Sequence, residues 1–507
     1  MTGRLFISAA LACLGQGVAS AEDRPNVLWI MLEDWGPEMS CYGTPGIETP
    51  VCDALAAEGV RYMRAFTTSP VCSTSRSAMM TGFHQNTIGA QQHRTAAADK
   101  QPLPDGIKSM PELLAEAGYF CCLMNYKKTD CNFVFDAKTH LPFADWSERA
   151  EGQPFFAQVT FGGTHRKFKR DPVDPIDTAD VELPPYYTDT EFNRRDWANG
   201  LEQMQRCDRE IGELLKRLDD EGLAEDTLVF VIGDHGRCHI RGKQFLYEAG
   251  LHIPLIVRWP GRVGPGGVNG DLVSAIDITA TILDVAGATP EVSPHGRTLF
   301  GDDYEPREYV FAARGRMGDT YDAMRSVRGD RFKLIHNLMP ERPWLQRSDY
   351  KLNSYPMLAE MSVLHARGEL NADQSRFFAA TKPEFELFDL RADPYELNNL
   401  ADDPAYEEVF SRLGGALAEW REQIGDDGVS EEFRAGGDAT YPFLTADEWE
   451  AMRDIWRPWV FREPGSDVPH PFAGWYSRPD ELGAWARARA RAAGEGKARS
   501  QKDGARL

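Results

Sequence analysis

A chain of 507 residues exceeds the size at which one hydrophobic core keeps growing, so its length predicts more than one domain. Apolar residues make up 42% and there are 12 tryptophans, which excludes a disordered or fibrous chain. A net charge of −22 argues against general nucleic-acid binding and against stable insertion into or adhesion to an anionic membrane.

The first residues read as a secretory leader: Arg4, an apolar run from Leu5 to Leu14, then Ala19-Ser20-Ala21 as a small-residue cleavage site. The run is too short to span a bilayer, so residues 1–21 are assigned as a signal peptide and the protein to the periplasm or the exterior. Leu11-Ala12-Cys13 is a weak lipoprotein pattern, and anchoring at Cys13 is not adopted. Asn26–Leu32 is almost continuously apolar, as expected of a strand covered on both faces, and Glu33-Asp34 follow it. Pro50 to Gly59 has helical spacing and ends on glycine.

Next comes Pro70-Val71-Cys72-Ser73-Thr74-Ser75-Arg76, running through an Ala/Met stretch to Thr81-Gly82. Good helix formers and a terminal glycine predict a helix with Cys72 at its N-terminus, where unpaired N–H groups favour negative charge. Arg76, one turn on, shares the face of Cys72. The arrangement reads as an oxyanion pocket around a sulfur nucleophile, or as a small buried cysteine at a turn.

Further apolar strands are expected at Phe120–Met124, Phe155–Phe161, Leu228–Ile232 and Pro254–Trp259, with a long helix over Trp197–Leu218. Strands alternating with helices predict an α/β fold with a mostly parallel sheet sandwiched by helices, whose ligands sit beyond the carboxyl ends of the strands. Past residue 300, Tyr309–Ala313, Met324–Val327 and Phe332–Asn337 predict a small antiparallel sheet, and Pro404 opens a helix over Tyr406–Trp420. The expected organisation is a catalytic domain over 22–300, a smaller C-terminal α+β domain over 301–425 and an extension over 426–507, with the tail from Trp485 frayed or disordered.

Three clusters carry chemistry. Glu33-Asp34 and Asp234-His235 each follow a strand, and together they suit one hard cation, although either pair alone reads as a turn or cap. His165-Arg166-Lys167-Phe168-Lys169-Arg170 follows another strand and reads as an anion-steering patch or a solvated run of charge. Of nine cysteines, setting aside Cys13 and Cys72 leaves an odd number, and no C-x-x-C occurs; a paired disulfide framework and a zinc ribbon are both disfavoured.

Cys72, Ser75, Arg76, Met80, Thr81 and Gly82 resemble the C-x-P-S-R-x-x-x-L/M-T-G signature of the type I sulfatases, with Thr74 in place of proline. Asn26 to Asp34 is similar to the family's opening N-I/V-L-x-I-x-x-D-D, with Glu33 for the first aspartate. Asp234-His235-Gly236 and Lys243-x-x-x-Tyr247-Glu248-x-Gly250-x-x-x-Pro254 match two later motifs. Glu386 to Leu400 resembles a segment common in sulfatases, and Met324 to Asn337 looks most like the heparan N-sulfatase branch.

The resemblance implies an alkaline-phosphatase-like fold and a sulfuric ester hydrolase. It implies that Cys72 is oxidised to Cα-formylglycine by a formylglycine-generating enzyme during export, and that Glu33, Asp34, residue 72, Asp234 and His235 bind Ca²⁺, with Mg²⁺ also suited. By the same resemblance Arg76, Lys128 and Lys243 neutralise the sulfate, and His165 or Lys243 meets the leaving atom. Asp130 falls where many members carry a histidine acid/base. His93, Arg94 and Arg166 are expected to touch substrate, as is His84. The expected substrate is a sulfated carbohydrate, O- or N-linked. The alternatives are hydrolysis of phosphate or phosphonate monoesters on the same fold, and a glycan-binding protein with unconverted Cys72.

Overall fold

A computed structural model describes residues 24–125, 128–301 and 304–472; the expected signal peptide and the tail from Trp485 lie outside them. Its strands are β1 (Asn26–Leu32), β2 (Val60–Phe66), β3 (Phe120–Asn125), β4 (Phe155–Phe161), β5 (Thr227–Gly233), β6 (His252–Arg258), β7 (Gly267–Asn269) and β8 (Val273–Ser274), then β9 (Val310–Arg314), β10 (Met324–Arg328), β11 (Phe332–Asn337) and β12 (Phe385–Asp389). The first eight form one sheet in the order β3-β4-β1-β5-β6-β2-β7, with β8 also on β2. β3, β4, β1 and β5 run parallel, and β6 is antiparallel to both of its neighbours.

Every residue of β1, β4 and β5 is buried, which is why their sequences are predominantly apolar on both faces. Residues facing one side, including Leu28, Ile30 and Val229, join the core beneath helix Glu191–Asp220. Those facing the other, including Val27, Trp29 and Phe230, pack with Ile278 and Ile282 of helix Ile276–Val285. β2 escaped the sequence reading because it is only half buried, with Arg61 and Arg64 interrupting its apolar residues.

The second sheet is antiparallel in the order β12-β11-β10-β9, and helix Glu407–Gln423 covers it through Leu413, Leu417 and Trp420. Between β11 and β12 the chain leaves this sheet, and Trp344, Tyr355 and Met357 join the main core. Helix Pro356–Ala366 packs there against helix Ala446–Val460, which returns from the expected C-terminal extension.

Parallel register decides where the site lies. Leu32 of β1 is level with Phe161 of β4 and Gly233 of β5, so the residues after all three strands emerge at one edge. Cross-links lock that edge: Glu33 N donates to Phe161 O at 3.2 Å, and Asp234 N to Leu32 O at 3.1 Å.

Candidate active site

The helix Cys72–Thr81 is buried at every residue, and Gly82 ends it in the left-handed region, φ 77°, where a side chain would be strained. At its start Thr74 takes the first-turn role, its hydroxyl bonding to Val71 O at 3.1 Å and to Ser69 Oγ at 2.6 Å. Cys72 therefore points into the edge where the three strands end.

Around it stand Asp34, Asp234 and His235. One ligand atom from each of these and from Cys72 lies within 4.8 Å of all the others. Asp34 holds φ 53°, a costly backbone for a non-glycine residue, and its N–H donates to Asp234 Oδ1 at 2.8 Å. Cys72 Sγ lies 3.3 Å from His235 Nε2, 3.5 Å from Asp34 Oδ1 and 3.3 Å from Lys243 Nζ. Two carboxylates and an imidazole in so small a buried space fit a divalent cation.

Opposite charges collect around Asp34. Burial works against ionising Asp34, yet His165, Lys243 and His235 hold its carboxyl well below the usual range. Burial likewise opposes charging His235, but Asp234 and Asp34 raise it to about 10. Asp34 is the anion that Lys243, His165 and His235 share. Lys243 donates to both oxygens of Asp34, at 2.8 and 2.9 Å.

Arg76 braces the cluster from behind. Its Nε donates to Asp234 Oδ2 at 2.9 Å and its Nη2 to Glu33 Oε1 at 3.0 Å. This corrects the expectation for Glu33: its longer arm carries the carboxylate to Arg76 and Lys128, and it stands outside the group of candidate ligand atoms. Lys128 also pairs with Asp130 at 3.5 Å, and Asp130 with Arg94 at 3.3 Å. Burial would raise the Asp130 carboxyl, but Lys128 and Arg94 lower it, so it sits as an anion that orients two cations.

The cluster opens into a cavity of about 720 Å³ lined by Lys128, His165, Lys243, His93, Arg94 and Arg166, among others. His165 is committed at both ring nitrogens, Nδ1 2.7 Å from Arg166 O and Nε2 3.4 Å from Asp34 Oδ2. Arg166 corrects a second expectation. Its Nη1 and Nη2 bind Asp196 at 2.7 and 3.0 Å and its Nε binds Cys238 O, so three of its five N–H groups are committed to internal partners and it forms part of the cavity wall. Within the basic run containing it, Arg166 and Phe168 are buried and Arg170 pairs with Glu202 at 3.3 Å, while Lys169 is exposed. His84 is displaced from the site altogether and lines a separate cavity with His295 and Trp420.

Sequence reasoning missed the residues that the second sheet and its excursion deliver. Tyr350 donates to Asp34 Oδ2 at 3.4 Å, and its ring lies 4.9 Å from Lys243 Nζ. Arg316 and Asp319 line the cavity from the loop after β9. No spacing in the chain ties these positions to residues near 34 or 72; only contact does. Gly236 is explained by contact too: a Cβ there would lie 2.2 Å from Ala249 O. Gly236→Ala is expected to cost about 1–3 kcal/mol and to lower activity together with the thermal midpoint, because the backbone bearing His235 must move. An unchanged midpoint and rate would show that the loop yields freely.

A sulfatase family model matches residues 25–130 and 122–288, and a model of the C-terminal region of N-sulphoglucosamine sulphohydrolase matches 233–346. An ulvan-active sulfatase of Formosa agariphila is 33% identical, the match covering 80% of this chain and 76% of that protein. The N-sulphoglucosamine sulphohydrolase of Homo sapiens is 27% identical, over 82% and 94% respectively. In architecture, a phosphonate monoester hydrolase of Agrobacterium radiobacter superposes with a TM-score of 0.59 at 18% identity, over 83% of this chain and 100% of that one. With the sulfatase model spanning more than half of its length and a relative 33% identical over four-fifths of it, the chain belongs to the sulfatase family.

Proposed function

We propose that this enzyme removes sulfate from a sulfated carbohydrate, using residue 72 after its conversion to formylglycine and one divalent cation. The observation that carries this reading is the convergence of Asp34, Cys72, Asp234 and His235 within 4.8 Å, with Lys243 on both Asp34 and Cys72. The names of two relatives, an ulvan-active sulfatase and an N-sulphoglucosamine sulphohydrolase, support a carbohydrate as the leaving portion. The leader over residues 1–21 supports export, and among the described residues no helix is long and apolar enough to cross a membrane.

Asp34, Asp234 and His235 would hold the cation, Ca²⁺ by the hardness of the carboxylates and Mg²⁺ as the alternative. Bound there, it supplies Lewis-acid polarisation and positive charge beside residue 72. The hydrated aldehyde of residue 72 supplies the nucleophilic hydroxyl, a group that an unmodified thiol lacks. The chain's own side chains do the rest. Lys128 and Lys243 face the cavity and neutralise the sulfate oxygens, so that an anion can approach an anion. Arg76 holds the Asp234 carboxylate in place, and Asp130 keeps Lys128 and Arg94 turned to the cleft.

Two measurements test the reading. The tryptic peptide carrying residue 72, from protein co-produced with a formylglycine-generating enzyme, is expected about 18 Da lighter than the thiol form. Sulfate release from ulvan and from N-sulfoglucosamine is expected to disappear on chelation with EDTA and to return with Ca²⁺ or Mg²⁺. A full-mass thiol peptide in active protein would overturn the formylglycine, and release of phosphate from matched phosphate esters without release of sulfate would overturn the substrate class.

A further inference from the structure

We infer that His93 is the group of this cleft that hydrogen-bonds the departing atom of the substrate, a role resting on the sulfatase reading above. His93 follows the nucleophile helix, and its backbone is pinned from both sides. Its N–H donates to Arg316 O at 2.9 Å, while the N–H of the next residue, Arg94, donates to Ser73 Oγ at 3.0 Å, one residue from the nucleophile. The backbone that carries the ring is thus anchored both to the nucleophile helix and to the segment after β9.

Both ring nitrogens of His93 are buried, and neither has a hydrogen-bond partner within the described residues, although His93 lines the cavity. Buried polar nitrogens left unpaired are disfavoured, so such a pair in an active cleft marks a place that a ligand completes. The other imidazoles of the site lack this freedom. His165 is engaged at both nitrogens. His235 is too, through Gly236 O at 2.8 Å and Asp34 Oδ1 at 2.9 Å. Asp130, standing where relatives of the motif carry histidine, is an ion-paired carboxylate with no proton to offer.

The surroundings set the form of the ring. Burial first, then the charges of Arg94 and Lys243, hold His93 well below the usual histidine range, against the opposing pull of Asp130; His235 adds to the lowering. A neutral imidazole has one N–H to donate. As the S–O or S–N bond breaks, its electron pair stays on the leaving atom, and the His93 N–H donates a hydrogen bond to that developing charge. Net hydrolysis consumes one water and yields the alcohol or amine and hydrogensulfate, leaving His93 unchanged.

The test compares wild type, His93→Ala and His93→Gln on 4-nitrophenyl sulfate, whose leaving group is weakly basic, and on phenyl sulfate, whose leaving group needs more help. For His93→Ala, kcat/KM on phenyl sulfate is expected to fall about 100-fold and on 4-nitrophenyl sulfate by no more than about threefold. His93→Gln, which restores an N–H donor, is expected to recover part of the loss on phenyl sulfate alone. Equal losses on both esters, or no loss on either, overturn the role of His93 while leaving the sulfatase reading intact. A folded, formylglycine-bearing wild type that releases sulfate neither from these esters nor from ulvan or N-sulfoglucosamine overturns both together.

Discussion

Cys72→Ala is expected to lower sulfate release by about four to six orders of magnitude, the scale on which removal of a nucleophile acts when the other groups work only through it. Cys72→Ser is expected to fall within about tenfold of alanine, because serine offers one hydroxyl and no aldehyde. Both variants should remain folded. Cys72 Sγ contacts Lys243, Asp34 and His235 but makes no backbone bond through its side chain, and Lys243 keeps its two bonds to Asp34 without it. Ion chromatography of released sulfate, read beside the thermal midpoint, checks this. Turnover retained by a folded alanine variant would remove residue 72 from the chemistry.

Arg76→Ala is expected to act on stability as well as on rate. The guanidinium is 1% exposed and is the shared partner of Asp234 and Glu33, so its loss removes one buried counter-charge from both and leaves Glu33 to Lys128 and Asp234 to the Asp34 N–H and His235. Breaking such a buried network costs about 3–5 kcal/mol, a fall that a urea titration resolves. Arg76→Lys is not expected to rescue it, since an ammonium on a flexible stem does not reproduce the planar fork that reaches both acids. An Arg76→Ala protein with the wild-type urea midpoint would show that the carboxylates are stabilised elsewhere, and a bound cation at Asp234 would be the first place to look.

Much of this architecture was legible because its physical signals are local. β1, β4 and β5 announce themselves as predominantly apolar runs since both faces are covered, and the Cys72 helix ends on the glycine that its left-handed cap requires. The acids after β1 and β5 could be paired in advance because parallel strands place their ends at one edge. β2 was missed for the opposite reason: half-buried, it mixes arginines with apolar residues and resembles a loop.

At the level of single side chains the reach of the sequence was shorter. It named Asp34, Cys72, Arg76, Asp234, His235 and Lys243, which the tertiary structure brings within hydrogen-bond distance of one another in a connected cluster. It also expected Glu33 as a ligand and Arg166 as an anion contact, and the fold spends both on internal partners, Arg76 with Lys128 and Asp196. Tyr350, Arg316 and Asp319 could not be anticipated at all, because they reach the cleft from the second sheet and its long excursion. Residue type and local spacing are properties of the chain, so the sequence determines which strands form and which groups stand at their ends. Whether a charged side chain at such an end faces a ligand or a buried counter-charge depends on what packs opposite it, and that is settled only when distant segments meet.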